Sequence, residues 1–195
     1  MGVEAPRSAE QSYGAPSPVP SEAPRAPAFR ALFEEEFSYV FNSLRRLGVR
    51  ESDLEDVTHD VFIIVHRILA EFDPARPLRP WLFGVAFRVA SDYRRLARHV
   101  REIPEDPPDE PVDGALPADE QIASAQARRQ VIEALDELEL NRRAVLVLHD
   151  IDGQAMPQIA LALAIPLNTA YSRLRIAREE FRTAIQRGRL KRGER

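Results

Sequence analysis

A helical spacing of apolar residues, cut into pieces by proline-rich segments, limits this fold more than any other feature of the sequence. Phe29, Leu32, Phe33, Phe37, Val40, Phe41 and Leu44 recur at intervals of three and four until Gly48 ends the pattern. "RESDLED" then restarts a helix, with Ser52 as candidate N-cap ahead of acids that suit a helix N-terminus. Leu54, Val57, Val61, Ile64, Val65 and Ile68 share one face of it. The prolines of "FDPARPLRP" lack an amide donor and restrict the residue before them, so that helix should end near Phe72. A third helix follows from Trp81, with Leu82, Val85, Ala86, Val89, Tyr93 and Leu96 as its inward stripe. No segment keeps the alternation of a half-buried strand, so the expected class is all-α, beginning with a helical domain over 29–100.

Residues 1–28 are rich in Pro, Ala and Ser and bury too little apolar surface to offset ordering entropy; a disordered tail is expected. The acidic, proline-rich stretch 101–119 lacks periodicity and reads as a flexible linker. A second small helical domain should occupy 120–188, with a basic tail at 189–195. Within it, "DEQIASAQARRQVIEALDEL" and "NRRAVLVLHDI" read as two helices, the latter stopped near Gly153. "PQIALALA", a tight turn at "IPL", and "NTAYSRLRIAREEFRTAIQR" with Asn168 as candidate N-cap form a helix-turn-helix pattern.

The 195-residue chain has no cysteine, which excludes disulfides, thiolate metal sites and a cysteine nucleophile, and fits a reducing compartment, the cytoplasm. Its apolar runs are far shorter than the ~20 residues that span a bilayer, so no membrane insertion is expected. The net charge of -4 is unevenly spread. Between Arg76 and Arg101 lie Arg79, Arg88, Arg94, Arg95 and Arg98 against the single acid Asp92, and a second basic block closes the chain. Two basic blocks with an acidic spacer suggest two separate contacts with a polyanion.

The second helix of a helix-turn-helix can enter the major groove with its N-terminal residues facing base edges. Asn168, Thr169, Tyr171, Ser172, Arg173 and Arg175 stand at the right positions, with Arg178 and Arg182 further along for phosphates. The first basic block differs, because aromatics and a proline-rich basic loop precede its arginines. Unpaired bases stack on aromatic or guanidinium planes in a positive groove, which would suit a protein that opens DNA. Trp81, Phe83 and Phe87 can equally be core; Arg88, Ser91, Arg95 and Arg98 follow helical spacing opposite the apolar stripe. These features alone leave open a stand-alone helix-turn-helix regulator and a helical adaptor that binds no DNA.

The order of "ESDLEDVTHDVFIIVHRI", "FDPARPLRPWLFGVAFRVASDYRR" and "ALDELELNRRAVLVLHDIDGQAMPQIALALAIPLNTAYSRLRIAREEFR" resembles a sigma factor of the sigma-70 family, extracytoplasmic-function type, over about residues 29–187. That resemblance implies a subunit without catalytic residues or cofactor, which directs bacterial RNA polymerase core to promoter DNA and aids its melting. It implies core-polymerase contacts at Asp56, Asp60, Phe62 and Val65. The minus-ten element would be met by Arg76, Arg79, Trp81, Arg88, Ser91, Arg94, Arg95 and Arg98. The minus-thirty-five element would be read by Asn168, Thr169, Tyr171, Ser172, Arg173, Arg175 and Arg178. An anti-sigma partner is compatible with the resemblance.

The chain departs from the family pattern at Arg88, where Asn is frequent, at Ala155 and Gln158, where Ser and Glu are usual, and at Tyr171, where a basic residue is common. His59 and His66, near Asp56 and Asp60, do not follow a recognised ligand spacing, and no metal site is expected.

Overall fold

The computed structural model describes residues 25–100 and 118–193. The expected tail up to residue 24, the greater part of the linker (101–117) and the last two residues of the basic tail lie outside them. The described residues form α1 (Arg25–Arg46), α2 (Leu54–Ile68), α3 (Leu78–Val100), α4 (Ala118–Asp136), α5 (Leu140–Leu146), α6 (Met156–Ala162) and α7 (Leu167–Arg192). The chain is all-α, with a helix-turn-helix in its second half.

α1 begins at Arg25, ahead of the first periodic apolar residue; Pro27 sits in its first turn, where a missing amide breaks no intrahelical bond. Leu44 and Leu47 close the buried stripe, and Gly48 leaves the helix at φ 86, a left-handed conformation that a side chain would resist. The restart differs from expectation. Glu51–Asp53 form a 3-10 turn, and Ser52 donates to the Asp53 carboxylate without capping α2. α2 ends at Ile68 and a further 3-10 turn carries the chain to Glu71.

The proline loop is built from its own residues. The Asp73 carboxylate accepts from the Ala75 amide at 3.0 Å, its carbonyl accepts from Arg76, and the Phe72 ring packs on Trp81 at 4.8 Å. α3 therefore starts at Leu78, with Pro80 in its first turn, three residues earlier than the sequence predicts. Leu82, Phe83, Val85, Ala86 and Ala90 are buried against α1 and α2. Leu96 is an exception to its expected stripe, at 63% exposed, and Ile64 of α2 likewise faces solvent.

In the second half, the Glu139 carboxylate caps α5 by accepting from the Asn141 and Arg142 amides. α5 passes into a π turn, Val147–Ile151, whose Val147 carbonyl accepts from the Asp152 amide at 2.9 Å. α6 and α7 follow. Pro166, not Asn168, is the N-cap of α7, leaving Asn168 exposed in its first turn. α7 continues through the expected basic tail to Arg192, where Gly193 caps it at φ 74.

Candidate functional site

α2 presents two kinds of residue. Asp56, Asp60, Ile63 and Arg67 recur at helical spacing and are exposed, Ile63 at 50%. Phe62 and Val65 are buried, so these two expected contact residues cannot be touched from outside; they hold α2 to its neighbours. The Phe62 ring lies 4.7 Å from Phe33, 6.2 Å from Phe37 and 6.5 Å from Phe29. His66 packs edge-on to Phe29 at 4.7 Å, and His59 stacks over Phe33. With Ile63 and Arg67 these residues line an apolar groove of about 500 Å³ between α1 and α2. Among the described residues no cluster of His, Asp and Glu is arranged to hold a metal ion.

α3 turns Arg88, Ser91 and Arg95 outward. The Arg88 Nε donates to the Gly84 carbonyl at 3.1 Å, leaving the rest of its guanidinium at the surface, and Arg95 pairs with Asp92 at 3.2 Å. Such exposed pairs are weak, about 0 to 1 kcal/mol, and yield readily to a phosphate. Arg76 is paired with Asp73 in the loop. Trp81 is half-buried on Phe72. Arg79 and Arg94 are placed differently. Arg79 pairs with Glu36 at 3.0 Å and lies 5.1 Å over the Tyr39 ring; Arg94 is half-buried and donates to the Leu47 carbonyl at 3.3 Å. The side chain of Arg98 lies outside the described residues.

On α7, Asn168, Tyr171, Ser172 and Arg175 are exposed, Tyr171 at 54%, while Thr169 and Arg173 are half-buried. Ala170, Leu174 and Ala177 alternate with them on the buried face. Arg178 already has partners: its guanidinium donates to both oxygens of Asp150, at 2.8 and 2.6 Å. The Arg178 hydrogen bond outweighs burial and, with His149, holds the Asp150 carboxyl below its ordinary value. A folded-state value below the unfolded one means that this tie stabilises above the ordinary carboxylate range and is lost only as pH falls through the lowered value. An NMR titration of the Asp150 side chain should give a midpoint below 3.8, and Asp150→Asn should remove that acid-dependent step.

The described residues of α3 and α7 thus carry two separate surfaces suited to nucleic acid. Comparison with known proteins gives the family. The family model "Sigma-70 region 2" matches residues 32–100 and "Sigma-70, region 4" matches residues 128–181. The RNA polymerase sigma factor CnrH of Cupriavidus metallidurans is 30% identical over 162 residues, spanning 79% of this chain and 84% of that protein. The ECF RNA polymerase sigma factor SigL of Mycobacterium tuberculosis is 29% identical over 165 residues, spanning 84% of this chain and 92% of its own. A solved structure of CnrH in complex with the cytosolic domain of CnrY superposes with a TM-score of 0.61 at 25% identity, covering 84% of this chain and 91% of that one. The sigma factor RpoE of Bartonella quintana, solved with the anti-sigma factor NepR, has the same fold, with a TM-score of 0.64 at 18% identity over 82% of this chain and 97% of that one. The chain belongs to the sigma-70 family as an ECF-type RNA polymerase sigma factor. As such it directs RNA polymerase to promoters.

Proposed function

We propose the following division of labour within that function. The exposed stripe Asp56, Asp60 and Ile63, with the groove beside it, docks core polymerase. The proline loop with Arg76, Arg79 and Trp81, followed by Arg88, Ser91, Arg94, Arg95 and Arg98 of α3, takes the minus-ten element and favours its opening. Asn168, Thr169, Tyr171, Ser172, Arg173, Arg175 and Arg178 read the minus-thirty-five element. The observation that carries this reading is the presence, on one chain, of a helix-turn-helix with an exposed polar first turn and of a second arginine-bearing helix. A stand-alone regulator would leave the region 2 match over 32–100 without a role.

In this reading the protein performs no nucleotide chemistry and needs no cofactor. It works in the cytoplasm, where promoters are, and no described helix is long and apolar enough to cross a membrane. The complexes of CnrH with CnrY and of RpoE with NepR support an anti-sigma partner for this chain as well. The test is run-off transcription with purified core polymerase on a promoter library, with permanganate mapping of unpaired thymines. Start-site opening that depends on this chain is expected. Failure to associate with core and to open any promoter would refute the reading.

A further inference from the structure

α7 opens on a pair of apolar side chains that the packing of the chain does not use. Ala170, Leu174 and Ala177 bury one side of the helix, and Leu167, Tyr171 and Arg175, at intervals of four, form a ridge beside it that turns outward. Leu167 is 41% exposed and Tyr171 54%, so the start of the helix holds an aliphatic group and a ring in water instead of in the core. The ring is not anchored by its hydroxyl either. Tyr39 donates to Asp152 and Tyr93 to Asp53, whereas Tyr171 has no hydrogen bond or ring neighbour among the described residues.

The surroundings of the pair select a partner. The first turn of α7 carries no acid, although a carboxylate there would favour the helix N-terminus, and Arg175, Arg178 and Arg182 are exposed further along. Such a surface accepts a polyanion, which in the reading above is the minus-thirty-five duplex. In the major groove, guanine, cytosine and adenine offer only donors and acceptors, and thymine adds the one apolar group, its C5-methyl. Leucine has no polar atom to replace the water it displaces. Set against a donor or acceptor, it would leave that group desolvated and unpaired; set against a methyl group, it buries apolar surface on both sides. The tyrosine ring does the same, with its hydroxyl kept in water at the rim. Asn168, next to Leu167, and Arg175, a turn beyond Tyr171, supply polar contacts to neighbouring bases.

We propose that Leu167 and Tyr171 together recognise thymine by its C5-methyl group in the major groove of the minus-thirty-five element. The proposal rests on the assignment of α7 to that element, and it adds Leu167, to which that assignment gives no role. Discrimination then comes from burying a methyl group and not from a further hydrogen bond or ion pair. It should therefore be indifferent to salt, unlike the arginine contacts with phosphates.

Deoxyuridine provides the test, because it pairs as thymidine does and lacks only the methyl group. With the full-length chain, core polymerase and a promoter selected by run-off, each thymine of the minus-thirty-five element is replaced in turn by deoxyuridine. Replacement at one or two adjacent positions should weaken promoter binding about fourfold each, the effect of burying one methyl group, at low and high salt alike. Leu167→Ala with Tyr171→Ala should bind the thymine promoter more weakly, at unchanged helix content by circular dichroism, and should bind the thymine and deoxyuridine promoters equally. Tyr171→Phe keeps the ring and should retain the discrimination. A selected element without thymine, wild-type binding that ignores deoxyuridine at every position, or a deoxyuridine effect that persists in the double variant would overturn the proposal. If replacing the whole minus-thirty-five element leaves wild-type binding unchanged, the assignment of α7 itself fails, and the methyl contact with it.

Discussion

Phe62→Ala is expected to lower the melting temperature of the N-terminal half by at least about 10 °C. The side chain is 2% exposed and meets Phe29, Phe33 and Phe37. Truncating a buried phenylalanine costs about 3–5 kcal/mol, because the transfer free energy is lost and a cavity remains. For a domain of this size each kcal/mol is worth about 4–8 °C. Thermal denaturation followed by circular dichroism measures the shift. Phe62→Leu, which keeps most of the volume, should lose much less and should keep binding core polymerase when folded. Loss of polymerase binding in a well-folded Phe62→Leu protein would show instead that the ring itself is recognised.

The second large effect concerns strand opening. Arg94→Ala with Arg95→Ala should reduce open-complex formation at least about 100-fold, since a hydrogen bond from a charged group contributes about 1.5–3 kcal/mol and two are removed. The salt dependence of promoter binding should become shallower by about 1.4 to 1.8 in log-log slope, at 0.7 per contact on single strands and 0.9 on duplex. Core binding should survive. Asp56→Ala with Asp60→Ala should do the reverse, weakening association with core while sparing DNA binding in the free chain. Arg94 also donates to the Leu47 carbonyl at 3.3 Å, so circular dichroism should first show the arginine-pair variant to be folded as the parent is. Permanganate reactivity and core pull-down read the two activities separately. Equal loss of both in all variants would point to misfolding and would defeat this assignment.

The surfaces carrying these predictions were partly legible in the sequence. Spacing of three and four placed Leu44, Val61, Leu82 and Ala86 inside, and the structure buries all of them. The outward face of α3 was equally readable, because Arg88, Ser91 and Arg95 share the face opposite that stripe. Spacing was less informative for α2. Spacing had put Val65 on the inward face, against the contact role implied by the resemblance, and it is buried; Phe62 lay off that stripe, and the rings of α1 packed on it make it core. Leu96 and Ile64 err in the other direction: their apolar character promised burial, but both are exposed among the described residues. The caps were also missed at Ser52 and Asn168, because competing turn geometries at Glu51–Asp53 and Pro166 took the capping position.

By itself, then, the sequence determined the class of this protein: an all-α chain, cut by proline into two halves, each with a helix suited to nucleic acid. Those properties depend on many residues acting together, and a period of 3.6 survives local exceptions. The tertiary structure alone decided how the halves meet. That contact hangs on single groups far apart in the chain: a glycine with no Cβ opposite a carbonyl, an aspartate turned by a π turn toward Tyr39 and Arg46, and a buried arginine beside another arginine. No periodicity announces them, because their partners are set by shape and charge across the interface and not by spacing along the chain.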